Sequence, residues 1–194
     1  MKKFITTIGL LIAIAASYAQ AQNPVFKPDL KARYWIKTKL ADLRLAVADS
    51  QLGGKVVVQS PNSDKSQVWK FVKKGDVYHL VSAKTGYQLD IHGGSASPNG
   101  DGVCQAQPND TGAQDWVIEA TDTDYFAIKC TLSKLEGHYL DVFGGNRVSG
   151  AKVCHAFGSD NEAGYNKTDS QLWKFIQVPF PVPDPKEDTK EEPK

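Results

Sequence analysis

From residue 33 onward the apolar positions fall in short β-branched and aromatic runs. Polar turn-formers such as Pro61-Asn62, Gly93-Gly94, Pro98-Asn99-Gly100 and Gly144-Gly145 separate them. Runs of that kind between such punctuation predict strands, because the turn residues supply conformations that branched side chains resist. No window of a dozen residues after Ala21 keeps its apolar positions three and four apart, so no amphipathic helix is predicted. The strands recur in a fixed order. An aromatic-led strand (Tyr34, Tyr78, Tyr125) precedes a Leu-centred one (Leu45, Leu89, Leu140), then a Val-led one (Val56, Val103, Val153). A closing strand follows in the frame Gln67-Val68-Trp69, Gln114-Asp115-Trp116 and Gln171-Leu172-Trp173.

The three passes make an internal repeat, with the Gln residues 47 and then 57 positions apart. The longer interval comes mainly from a gain of four residues around 132–135 and of seven in the polar stretch 159–170, where loops tolerate insertion. On a strand, Gln and Trp two apart share a face. The Trp brings roughly 150–250 Å² of buriable surface, and the amide can tie a neighbouring loop through its backbone groups. Gln67, Trp69, Gln114, Trp116, Gln171 and Trp173 therefore read as a structural motif, and the fold class as all-β, with three pseudo-threefold-related four-stranded repeats.

The ends differ from this body. Residues 1–21 have a lysine start, an apolar run and small residues at Ser17, Ala19 and Ala21, the layout of a signal peptide cleaved after Ala19 or Ala21. No later run is long enough to span a bilayer as a helix, so a secreted or periplasmic protein is expected. Residues 22–32 read as a linker, 33–178 as the domain (lobes about 33–74, 75–121 and 122–178), and 179–194 as an unstructured Pro/Glu/Lys tail. Charge is lopsided: residues 31–74 hold ten Lys or Arg against three Asp, whereas 75–178 hold seven against thirteen acids. Cys104 and Cys154 occupy equivalent repeat positions. Cys130 with Cys154, in one lobe, is the disulfide pairing to test first.

Leu89-Asp90-Ile91-His92-Gly93-Gly94 and Leu140-Asp141-Val142-Phe143-Gly144-Gly145, each followed by Gly and Val and then Gln-x-Trp, resemble the ricin B-type β-trefoil lectins over about residues 33–178. The resemblance implies twelve strands, a short six-stranded barrel capped by three hairpins, and up to three sugar pockets. It also implies a non-catalytic, monomeric carbohydrate-binding module whose partner is a glycan or polysaccharide. In that family the Asp after the Leu accepts hydrogen bonds from sugar hydroxyls, an aromatic ring stacks on the sugar, and Asn or Gln completes the pocket.

Carried over, the acceptors are Asp90 and Asp141, which alternation places with His92 and Phe143 on the outer face. The same carboxylates could instead cap the Gly-Gly turns that follow them. The family's usual aromatic aligns with Ala106 and Ala156. Stacking therefore falls to His92, Phe143, His155 or Phe157, and polar contact to Gln105 or Asn109. Strict alternation turns His155 and Phe157 inward with Val153. In lobe one Ala46 replaces the Asp, and Asp49 would substitute only by a fold-back of its loop, so no pocket of the family type is expected there.

Catalytic and cofactor signatures are absent from the sequence: there is no Gly-x-Ser-x-Gly, phosphate loop, dinucleotide fingerprint or His-Glu-x-x-His. Asp90 and Asp141 lie in different lobes and do not form a hydrolase pair. Cys154 and His155 point to opposite faces and do not chelate one metal. His79 and His138 read as surface or half-buried side chains. No catalytic residue, metal or cofactor is expected. Two other functions fit the chain: a protein-binding or inhibitory scaffold using loop 159–170, and polyanion binding through the basic first lobe with Lys70, Lys73 and Lys74. Nucleic acid is not expected, since no aromatic platforms accompany those lysines.

Overall fold

A computed structural model describes residues 26–94, 102–121, 123–158 and 168–179. The stretch 1–21 read as a signal peptide, nearly all of the C-terminal tail and most of loop 159–170 lie outside the described residues. Lobe one contains β1 (Tyr34–Thr38), β2 (Arg44–Val47), β3 (Val56–Gln59) and β4 (Val68–Lys74). Lobe two contains β5 (Val77–Ser82), β6 (Gln88–Ile91), β7 (Val103–Ala106) and β8 (Trp116–Ala120). Lobe three contains β9 (Phe126–Cys130), β10 (His138–Val142), β11 (Ala151–Phe157) and β12 (Leu172–Gln177).

The first and last strands of the lobes pair in a ring, β1 with β4, β4 with β5, β5 with β8, β8 with β9, β9 with β12 and β12 with β1. This closes a six-stranded antiparallel barrel and leaves those strands without a free edge. The middle strands form three hairpins, β2–β3, β6–β7 and β10–β11. β3 pairs with β11, and Lys55 bridges to Cys104 at the entry to β7. The expected β-trefoil is therefore present, with its three hairpin caps in mutual contact.

The repeated motif explains how each lobe closes. Trp69, Trp116 and Trp173 are fully buried, and each indole Nε1 donates to the carbonyl of the landmark leucine of its own lobe: Leu45 at 3.0 Å, Leu89 at 3.1 Å and Leu140 at 3.1 Å. A buried indole N–H without a partner would be costly, so the bond fixes the hairpin to the barrel in every lobe. Beside each Trp, the Gln ends a single 3-10 turn (Lys65–Gln67, Gly112–Gln114, Asp169–Gln171). Gln67 Nε2 donates to Ser60 O, and its Oε1 accepts from Asn62 N; Gln114 repeats this with Gln107 O and Asn109 N. In lobe three Gln171 Nε2 keeps the equivalent bond, to Phe157 O at 3.2 Å, and also lies 3.4 Å from Ala156 O.

Two expectations change here. Within the segment read as a linker, the described residues from Phe26 onward pack onto the barrel. Phe26 packs at the barrel end against Phe175 (ring centroids 4.3 Å apart), Phe71 (5.2 Å) and Phe126 (5.2 Å), a contact no sequence pattern announces. The suggested Cys130–Cys154 bridge is not formed, since Cys104, Cys130 and Cys154 are all free buried thiols. Cys130 and Cys154 stand on β9 and β11, which flank β10 on opposite sides. Burial pushes both thiols up to about 12.

Candidate functional site

In lobe two, β6 turns sharply into Gly93 and Gly94, whose φ values of 62° and 56° lie where a side chain would be strained. The turn leaves Asp90 at the base of a cleft of about 610 Å³. His92, Gly93 and Gly94 form one wall, and Ala106, Gln107, Asn109, Thr111 and Ala113 another. Leu52 and Gly53 of lobe one and Leu132 and Lys134 of lobe three complete it. The four-residue gain of lobe three thus builds part of the lobe-two cleft, which is composite in a way that reading each repeat separately does not show.

Asp90 is 5% exposed, where alternation had placed it on an open outer face. The neighbouring elements cover it: its Oδ2 accepts from Gln114 Nε2 at 2.8 Å, and Cys104, its cross-strand partner, lies with Sγ 4.0 Å from Oδ1. Burial raises the Asp90 pKa, while hydrogen bonds from Gln114 and Asn109 and the nearby His92 pull it partly back. The same burial, with the Asp90 charge, pushes the Cys104 thiol up to about 11. Asp90 is thus an acceptor pre-oriented by the clasp glutamine, with its remaining capacity facing the cleft.

Lobe three repeats the plan with different detail. Asp141 is 7% exposed and opposite Cys154, and its Oδ2 accepts from Ser170 Oγ at 3.3 Å. Burial pushes its carboxyl up to about 6, despite hydrogen bonds from Ser170 and Gln171. Phe143, 51% exposed, follows Asp141 at the hairpin tip, and the Lys152 ammonium lies 5.5 Å from its ring centroid. Phe157 is 57% exposed at the hairpin base, edge-on to His138 at 5.6 Å. The inward turn expected of Phe157 is corrected: alternation fails at the end of β11, where its ring instead covers Gly137.

The other candidates divide. His92 stands exposed at the lobe-two cleft, with Asn109 opposite it. Asn109 also shapes its own loop, its Oδ1 accepting from Thr111 N at 3.0 Å and from the Thr111 hydroxyl; Asn62 has the same turn role in lobe one, accepting from Asp64 N. Gln105 is fully buried, outside the cleft lining. Its Nε2 donates to Asp49 O (2.8 Å) and Gln51 O (3.0 Å) and its Oε1 accepts from Thr85 Oγ1 (2.7 Å), so it fastens lobe two to lobe one. His155 is also fully buried, as alternation required, with Nδ1 3.1 Å from His138 Nδ1.

His79 is buried where a surface or half-buried side chain was expected, because Asp115 meets its Nε2 at 2.7 Å. The basic first lobe is partly neutralised, since Lys74 reaches Asp110 at 3.3 Å and Asp115 at 3.9 Å. Lobe one has neither carboxylate nor thiol at the paired hairpin position: Ala46 faces Val57. Asp49 is engaged in a local turn, accepting from Gln51 N at 2.9 Å.

A family model described as "Ricin-type beta-trefoil lectin domain-like" matches residues 22–106 and 65–156. No curated protein sequence matches the chain. Among solved structures, the designed three-fold symmetric protein ThreeFoil is 23% identical, with a TM-score of 0.66 over 75% of this chain and 99% of its own. An exo-beta-1,3-galactanase from Clostridium thermocellum is 23% identical, with a TM-score of 0.66 over 79% of this chain. This chain spans only 31% of that enzyme. The Macrolepiota procera ricin B-like lectin, solved in complex with lactose, is 18% identical, with a TM-score of 0.63 over 79% of this chain and 100% of its own. At these identities the likeness establishes the fold.

Proposed function

The chain belongs to the ricin-type β-trefoil lectin-like family, and from that membership we propose that it is an exported, non-catalytic carbohydrate-binding protein with sites in lobes two and three. The observation that carries the proposal is the contrast at one hairpin position. Lobe one fills it with the apolar pair Ala46 and Val57, which serves the fold. Lobes two and three place Asp90 opposite Cys104 and Asp141 opposite Cys154, and burial raises both carboxyl pKa values. A buried acid where an apolar pair suffices opposes stability, which marks it as retained for what it binds.

Asp90 and Asp141 would accept from vicinal sugar hydroxyls, with His92 over the first site and Phe143 over the second as stacking surfaces. Each site is shallow and suits a repeating glycan that engages both at once. The leader-like segment 1–21 supports export, and a single chain with two independent sites needs no partner copy. An acidic pair for hydrolysis is not assembled, since the two carboxylates belong to separate hairpins.

The test is a glycan array read with wild type and with Asp90→Ala/Asp141→Ala. Alanine is already accommodated at this position in lobe one, so the variant should fold. Loss of every specific glycan signal is expected; undiminished binding by the double variant would remove both sites from the account.

A further inference from the structure

The tip of the β2–β3 hairpin, Asp49-Ser50-Gln51-Leu52-Gly53-Gly54, belongs to the lobe that has alanine at the acceptor position, yet it rests on lobe two. Gly53 N donates to Gln105 O at 2.9 Å, and Gln105 N donates to Gly54 O at 3.0 Å. The Gln105 side chain adds its bonds to Asp49 O and Gln51 O, so one residue of β7 holds the tip from both its backbone and its amide. The β10–β11 tip makes the equivalent contact with lobe one, Gly150 N donating to Val58 O at 2.8 Å. A tip resting on the neighbouring lobe thus belongs to the fold. The side chain it presents there does not.

Lobe one presents Leu52. In a tip otherwise made of polar residues and glycine, its side chain is 61% exposed and lines the cleft that has Asp90 at its base. A single exposed leucine is ordinary on a protein surface; this one is set in a wall that other alkyl groups continue, Ala106 and Ala113 from lobe two and Leu132 from lobe three. Leu132 is fixed as well. Thr131 Oγ1 beside it donates to Asp115 O at 3.0 Å, and a Cβ on Gly112 would come 3.3 Å from Leu132 Cδ2, so the leucine lies against the 3-10 turn that carries Ala113.

The cleft therefore joins one carboxylate acceptor to alkyl side chains held from three lobes. Hydroxyls of a saccharide suit the carboxylate, and an alkyl group on the same ring suits the leucines, because apolar surface on both sides then leaves water. A fully hydroxylated ring sets its hydroxyls against Leu52 instead. The small alkyl groups that a hexose carries are the acetamido methyl and the C6 methyl of a 6-deoxy sugar.

We propose that lobe two selects a sugar unit bearing a methyl group, acetamido or 6-deoxy, with its hydroxyls on Asp90 and its methyl against Leu52, while Leu132 and the two alanines complete the wall. This rests on the lectin reading above and names the sugar class for that site. Leu52 is then a specificity-determining residue that one lobe supplies to the site of another.

The experiment is ligand-observed NMR titration of the full chain carrying Asp141→Ala, which leaves lobe two as the remaining site. The probes are galactose with N-acetylgalactosamine and 6-deoxygalactose, and the corresponding sets for glucose and mannose. In the set that binds, one methyl-bearing form should be favoured over its parent by about three- to tenfold, and which form it is separates the acetamido from the 6-deoxy source. Leu52 is exposed, so Leu52→Ser should fold, as a melt will check, and should bring the ratio to near one. Leu52→Ile keeps the alkyl group and should retain the preference. Parent and methyl forms bound alike, a preference that survives Leu52→Ser, or no binding of any of these sugars while array glycans still bind the same protein, each overturns the proposal and leaves the lectin reading intact. If no saccharide binds, on the array or in titration, the lectin reading itself fails and this sugar class falls with it.

Discussion

Asp141 is the most informative single residue, because its carboxyl, pushed up to about 6 by burial, gives the site a stability signature that can be measured without a ligand. A folded-state pKa raised above the ordinary 3.8 means the fold prefers the neutral acid. The associated stability is fully present below the unfolded value and is lost as pH rises through about 6. Asp141→Asn should accordingly be more stable than wild type at pH 7.5, by at most ~3 kcal/mol, and the difference should close near pH 4. His138 works in the opposite sense, burial having lowered its pKa, so its contribution declines as pH falls below its ordinary 6.5. It is common to both proteins and cancels in the comparison. Chemical denaturation at the two pH values checks this, and equal stability at pH 7.5 would mean that Asp141 ionises without cost. The sequence singled out Asp90 and Asp141 as candidate acceptors and placed them on an exposed face, whereas both are buried. Alternation along one strand carries no information about Gln114, Ser170 and the other groups that close over them from other elements.

At the scale of the element, each hairpin is held by the same two bonds, the Trp indole to the landmark Leu carbonyl and the clasp Gln to its loop. The clasp has acquired a second duty only where a carboxylate is present. Gln67→Ala strands the Ser60 and Asn62 backbone groups and should cost about 1–3 kcal/mol of stability with glycan binding retained. Gln114→Ala should lose similar stability and also weaken binding, since Gln114 Nε2 orients Asp90. A titration beside a melt separates the two outcomes. The converse change is Asp90→Ala/Cys104→Val, which rebuilds in lobe two the apolar pair of lobe one. It should hold or raise stability by about 1–2 kcal/mol, as when buried polar groups are replaced by packed apolar ones, and abolish lobe-two binding. The repeat order and the hairpins were legible in the spacing of Leu45, Leu89, Leu140 and the three Gln-x-Trp frames, and the missing lobe-one carboxylate in Ala46. The clasp function of Gln105 was not, because it is made across lobes to Asp49 and Gln51.

For the whole molecule, the closed barrel joins strands from all three repeats, so no lobe is expected to fold alone. The lobe-two cleft shows the same interdependence, with Leu52 from lobe one and Leu132 from lobe three in its walls. One end of the barrel is plugged by Phe26, from a stretch whose composition reads as a linker. Phe26→Ala should cost about 3 kcal/mol, the usual scale for removing an aromatic side chain from a packed cluster, and leave glycan affinity unchanged, since the ring lies among barrel aromatics rather than hairpin residues. Periodicity and repeats could reveal the β-trefoil because they act within a strand or between copies. Contacts such as Phe26 with Phe175, or Gln105 with Gln51, depend on which ends the topology brings together.

The proposed function has two lobes that bind sugar and one that does not, which fixes the number of glycans bound per chain. Native mass spectrometry with a saturating short glycan chosen from the array should show two bound molecules on wild type, one on Asp90→Ala or Asp141→Ala alone, and none on the double variant. Three bound molecules on wild type, or any specific binding that survives in the double variant, would contradict the account.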